Sequence, residues 1–147
     1  MVAAITDAAR RIAGIRSAYV IALLALCAAY LQGGFVKLFD FAGAQAEMVQ
    51  FGLSPPWLFA VVVIALELIA PLMILSGRGR WLGALALGVF TLLASGLANR
   101  FWEASPAQRP MMMNAFFEHI GLAGGFLMVA CYDLRSRARR NLKGDGR

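Results

Sequence analysis

Four long apolar runs divide this chain, and its polar residues gather at their ends. The runs extend from Ser17 to about Phe39, from Trp57 to Ser76, from Trp81 to Ala98 and from Met111 to Tyr132. Each is about 18–23 residues long, and a helix rising 1.5 Å per residue needs roughly 20 to cross the hydrocarbon core of a bilayer. A soluble bundle carries a polar stripe along every helix; here only scattered polar positions interrupt the runs. The pattern predicts an all-α membrane protein, an antiparallel bundle of four transmembrane helices.

The connections refine this plan. Ser76-Gly77-Arg78-Gly79-Arg80 is a tight turn, so the second and third spans are antiparallel neighbours. The segment from Ala42 to Pro56 is longer. Ala44 to Phe51 is expected to form a short interfacial helix, with Gly52 placed to cap it and Pro55-Pro56 starting the next span. Trp57, Trp81, Trp102 and Tyr132 stand at run ends, as an aromatic belt requires. The expected organisation is a basic N-terminus over residues 1–16, a transmembrane domain over 17–133, and a basic, mobile cytoplasmic tail over 134–147. No internal repeat is evident.

Composition supports the membrane reading. The 147 residues are 61% hydrophobic and 15% charged, where soluble domains carry about 25% charged residues. The 14 Lys and Arg residues give a basic chain, but their placement points to a membrane and not to nucleic acid. Eleven of them (Arg10, Arg11, Arg16, Arg78, Arg80, Arg135, Arg137, Arg139, Arg140, Lys143 and Arg147) fall on one side of the predicted topology. Only Lys37, Arg100 and Arg109 fall on the other. The positive-inside rule then puts both termini in the cytoplasm of a multi-pass protein. Arg outnumbers Lys twelve to two and Ala is abundant, which fits a GC-rich bacterium and hence its inner membrane. A cleaved signal peptide is the rival reading of the N-terminus, but its apolar region spans only about 7–15 residues.

Most site chemistries find no residues here. Cys27 and Cys131 lie in different runs without a CxxC pair and read as small buried hydrophobes. His119 is the lone histidine, which leaves no bis-His haem, and no zinc set or other metal site is expected. No phosphate-binding loop, dinucleotide fingerprint or nucleophile elbow appears.

The polar positions within the runs are more informative. Glu67 lies ten residues after Trp57, roughly 15 Å into the membrane. A charge there costs about 2.5–3.5 kcal/mol on insertion scales, so Glu67 is expected to face the bundle interior and either to have a partner or to be protonated, as a ligand or proton site or as a carboxyl that hydrogen-bonds neighbouring helices. Pro71, four residues on, lacks the N–H that would bond the Glu67 carbonyl, so a kink that frees an acceptor is expected there. The last run carries Asn114 and Glu118 on one face, continued by Gly121 and Gly125 in a small-xxx-small pattern suited to close packing. His119 points about 100° away from Glu118. The first run places Tyr30, Gly33, Gly34, Lys37 and Asp40 along one flank, where Lys37 either faces the interior or snorkels outward. The third adds Thr91, Ser95 and Asn99, followed by Arg100. Lys37, Asp40, Asn99, Arg100, Asn114, Glu118 and His119 fall at similar depths in the outer half, with Glu67 below them. The expectation is a polar pocket open to the outer face with a carboxylate at its floor. The inner half is apolar, which argues against a channel or proton pump.

These motifs, in their order, resemble the DoxX family. Tyr30-Leu31-Gln32-Gly33-Gly34-Phe35-Val36-Lys37-Leu38 is similar to its first-helix signature, and Phe51-Gly52-Leu53-Ser54-Pro55 to its lead into the second helix. Ala65-Leu66-Glu67-Leu68-Ile69 resembles its intramembrane glutamate motif. Phe116-Phe117-Glu118-His119-Ile120-Gly121-Leu122-Ala123-Gly124-Gly125 resembles its last-helix pattern, with Glu118-His119 where many members carry Lys-Asn or Lys-His. The resemblance covers roughly Ala18 to Asp133. It implies a four-helix inner-membrane protein. Some members belong to redox systems, among them a thiosulfate:quinone oxidoreductase subunit and a membrane partner of superoxide dismutase and a thiosulfate sulfurtransferase.

The expected function is therefore a membrane subunit of a quinone-linked or oxidative-stress redox system. Its polar pocket would take a quinone headgroup or a similar small polar ligand: Lys37 and His119 donate to the carbonyls, and Glu67 or Glu118 exchanges protons. The alternatives are a non-catalytic scaffold or assembly factor, and a small-molecule permease component. The expected partners are the lipid bilayer and a redox protein or a second copy of the chain.

Overall fold

The computed structural model describes residues 5–6 and 16–144. Arg10, Arg11 and Arg147 of the orientation argument, and most of the basic N-terminus, lie outside the described residues. The helices are α1 (Arg16–Phe39), α2 (Phe41–Gln50), α3 (Pro56–Ser76), α4 (Arg80–Ala98) and α5 (Arg109–Gly144); no strand occurs among the described residues. All but α2 are long and apolar enough to span a membrane. Their start and end positions agree with the apolar runs to within one or two residues, except at the end of α5.

Bundle order follows from the seams. α4 and α5 share the longest, α3 packs between α1 and α4, and α1 meets α5 only locally. The dry core joins Leu23 and Cys27 of α1, Ile74 of α3, Leu87 of α4, and Phe126 and Ala130 of α5. α3 and α4 approach closely at Gly83, where a Cβ would stand 2.7 Å from the Ala70 carbonyl oxygen. The outward faces are apolar: Ile69, Leu72, Val89, Leu93 and Met128 are each more than half exposed. In water so much apolar surface would drive aggregation; facing lipid it is what a spanning bundle needs.

The two ends are built differently. At the basic end, Arg80 Nε donates to the Ile74 carbonyl at 2.8 Å, and its guanidinium lies 5.5 Å from the Tyr19 ring centroid. Arg137 donates to Asp133 at 2.7 Å and to the Gly77 carbonyl at 3.3 Å. Arginines that favour one membrane side thus also tie the α3–α4 turn to α1 and α5.

At the other end, α1 breaks at Asp40 and the chain resumes as α2. Asp40 caps α2, accepting from the Gly43 amide at 2.9 Å. Ala44 and Met48 of α2 bury against Ala60 of α3, with Leu53, Phe59 and Val63 around them. Gly52, in the left-handed region at φ 73°, ends α2: its N–H donates to the Val49 carbonyl, and the Leu53 N–H to that of Met48. This is the Schellman arrangement, for which glycine is favoured because a Cβ resists that φ.

Three expectations are corrected. α5 does not end with the fourth apolar run at Tyr132: the tail expected to be mobile continues the helix to Gly144. The Arg, Ala, Leu and Lys residues of the tail are good helix formers, and cations suit a helix C-terminus. Cys131 is exposed, and only Cys27 is buried. Gly121 packs against nothing, with no atom within 4 Å of its Cβ position, whereas Gly125 meets Leu26 at 3.3 Å. Toward its Asp40 end α1 follows α3 (Gly34 lies against Leu68 and Glu67), and Gly121 is exposed.

Candidate functional site

Lys37 is the centre of the polar structure at the α2 end. It sits in the last turn of α1, and its ammonium donates to both Glu67 oxygens, at 3.2 and 3.3 Å. On its other side it lies 3.8 Å from Glu47 of α2. One cation therefore links α1, α2 and α3. Exposure rises along the series: the side chains of Glu67, Lys37 and Glu47 are 8%, 16% and 40% accessible. Lys37 does not snorkel outward. Side chains lean toward the N-terminus of their own helix, and α1 and α3 run antiparallel, so Lys37 and Glu67 lean toward each other.

Glycine makes room for the pair. A Cβ at Gly33 would stand 3.4 Å from Glu67 Oε2 and 3.5 Å from Lys37 Nζ, and one at Gly34 would lie 2.8 Å from Leu68 Cδ2. Gly34 lets α1 and α3 approach, and Gly33 leaves ordinary contact space beside the ions. Pro71 is buried within a helix that runs unbroken to Ser76. About two turns before Lys37 on α1, Tyr30 donates to Thr91 Oγ1 at 2.5 Å, and Thr91 donates to the Leu87 carbonyl at 2.6 Å. This pair crosses the bundle from α1 to α4.

The other sequence candidates are dispersed. Asp40 is occupied as the α2 cap. Asn99 donates to Ser95 at 3.3 Å. Arg100 pairs with Glu103 at 3.1 Å. His119 is half-buried and donates from Nδ1 to the Ala115 carbonyl of its own helix at 2.6 Å. Asn114 and Glu118 are exposed, on the face of α5 turned away from the core. An open cleft of about 310 Å³ lies where α2 ends near the α4–α5 connection. Gln50, Arg100, Glu103, Gln108 and Met112 line it, and Glu67 does not. The expected pocket with a carboxylate floor is thus resolved into two places: a cleft that holds Arg100, and an ion cluster between α1, α2 and α3. No group of three or more His, Cys, Asp or Glu residues that could hold a metal occurs among the described residues.

Sequence reasoning misses Glu47. The signal is present: Ala44 and Met48 are four apart and mark the buried face of α2, and Glu47 borders it. A connection that reads as a surface helix gives no reason to seek a partner for it on α1.

Comparison with known proteins gives the same picture. No solved structure matches the chain. The inner membrane protein YphA of Escherichia coli strain K12 is 28% identical over 111 residues, 75% of this chain and 79% of that protein. The DoxX family model matches residues 19–100, which covers α1 to α4 with Gly33, Gly34, Lys37, Glu47 and Glu67; the α5 segment of the resemblance lies beyond it. With four apolar spanning helices and more than half of its length matched by that model, the chain belongs to the DoxX family and is a multi-pass inner-membrane protein.

Proposed function

We propose that this protein is a membrane subunit of a quinone-linked redox system, and that the Lys37–Glu67 pair meets the quinone headgroup. The observation that carries the reading is an ammonium and a carboxylate held together between apolar helices, with the small Gly33 beside them and Glu47 3.8 Å from the ammonium. A quinone site needs an apolar slot with a few placed polar groups. Lys37 hydrogen-bonds a quinone carbonyl oxygen. Reduction to the quinol adds two electrons, delivered by an associated redox protein, and two protons at the carbonyl oxygens. Glu67 is the group placed to pass those protons on. The basic end faces the cytoplasm, supported by Arg78, Arg80, Arg135, Arg137, Arg139 and Arg140 there against Lys37, Arg100 and Arg109 at the other end. Reporter fusions after Ser76 are expected to read cytoplasmic and fusions near Ser54 periplasmic; the reverse would overturn that orientation.

The test of the site is direct. Solvent extracts of the gently purified protein are expected to contain quinone by mass spectrometry, and Glu67→Gln to fold yet lose decylubiquinone binding. Glutamine keeps size and hydrogen bonding but cannot exchange the proton. Absence of quinone together with full function in Glu67→Gln would favour a second reading, a non-catalytic scaffold. What supports that reading is that Lys37 and Glu67 already satisfy each other, as an ion pair that fixes helix register would.

A further inference from the structure

We propose that Glu47, Lys37 and Glu67 form a proton relay that carries protons from the α2 end to Glu67, with Glu47 as the entry group. The proposal rests on the reading of Glu67 as a proton-exchanging residue and supplies the route that reading lacks. Glu67 is buried, and the core toward the basic end is apolar around Cys27, Ile74, Leu87 and Phe126. Glu47 is the most accessible of the three, at 40%, and stands 3.8 Å from the ammonium that bonds Glu67. Among the described residues no ion pair or hydrogen bond links Lys37 to α4 or α5. The ionisable groups that meet it are Glu67 from α3 and Glu47 from α2, while Tyr30 on its own helix is bonded to Thr91.

The step balances without a further reactant. A proton taken from water makes Glu47 a carboxylic acid. Lys37 passes one proton to Glu67, which becomes neutral, and the resulting amine takes the proton of Glu47. Lys37 ends as it began, Glu47 is again a carboxylate, and Glu67 carries the proton. The 3.8 Å gap is an ion-pair distance and not a direct hydrogen bond, so the transfer from Glu47 goes with a small swing of the flexible lysine. Lysine suits this role because it can lose its proton when desolvated; arginine cannot.

The experiment follows Glu67 protonation in vesicle-reconstituted protein after a step to acid pH, by time-resolved infrared absorption of the carboxylic acid band assigned with Glu67→Gln. Glu47→Gln is expected to slow protonation by about a hundredfold, the low end of what a positioned proton-transfer group contributes, and to leave the final amplitude unchanged. Lys37→Arg keeps both ion pairs and is expected to slow it equally, with a melting temperature near that of the natural protein, so the result does not depend on Glu47→Gln folding. Protonation at the unaltered rate in either folded variant overturns the relay. Decylubiquinone binding is measured on the same Glu47→Gln sample. Binding kept with slowed protonation supports both proposals; slowed protonation in a protein that never binds quinone leaves the relay standing and removes the quinone.

Discussion

The two halves of the bundle are held together by opposite means. Toward the basic end, α3, α4 and α5 close on an apolar core, with Phe126, Leu87 and Ile74 fully buried and Gly83 set against the α3 backbone. Toward the α2 end, one ammonium ties three helices, a tyrosine–threonine bond crosses the bundle, and an open cleft remains. The difference is one of tolerance. Dispersion contacts add up over many atoms and fail gradually with each misfit. A buried ion pair is held by two groups, and removing either leaves the other uncompensated. The apolar half is therefore held by many small contacts and the polar half by a few strong ones.

This contrast can be broken from either side. The largest effect is expected from Phe126→Ala, which empties the centre of the apolar half: a loss of about 3–5 kcal/mol, read as lowered thermal stability in detergent, with the Lys37–Glu67 pair intact if the halves are separate. Gly83→Ala comes next. Its Cβ would meet the Ala70 carbonyl oxygen at 2.7 Å, and overpacking of this kind costs about 1–3 kcal/mol. A fully stable variant would show that α3 and α4 are less tightly joined than the geometry says. Tyr30→Phe removes the cross-bundle hydrogen bond and keeps the ring between Phe90 and Phe126. Hydrogen bonds between membrane helices average about 0.6 kcal/mol, and a loss of that order in chemical unfolding is expected. A much larger loss would make this bond, and not the core, the link between the halves. The smallest effect belongs to the cysteines. Cys131→Ala, at an exposed position, should change stability by less than about 0.5 kcal/mol, and Cys27→Ala by more because Cys27 is fully buried; equal melting temperatures would contradict that burial.

Much of the molecule is legible in the chain of residues. Apolar runs of spanning length fix the number of spans and their ends, because a bilayer admits helices only where some twenty residues avoid charge. Gly52, Gly77 and Gly79 mark turns, and all three adopt positive φ. Glu67 stands out because an ionisable group at that depth requires a partner. Lys37 stands out on the same grounds, but as one candidate among several at similar depth.

Direction around each helix and closeness between helices are not legible in this way. Depth follows from residue count, so Lys37, Asn99, Asn114 and Glu118 look equivalent along the chain. Only packing turns Lys37 onto Glu67 and leaves Asn114 and Glu118 facing outward, because α1 follows α3 at that end and not α5. The end of α1 near Phe39 and the short helix after it are legible, but the contact they lead to is not: α2, capped by Asp40, folds onto α3 and brings Glu47 to Lys37. The sequence by itself determined which residues enter the membrane, since that depends on local transfer free energy. The tertiary structure alone decided which of them meet, since that depends on how four helices share one core.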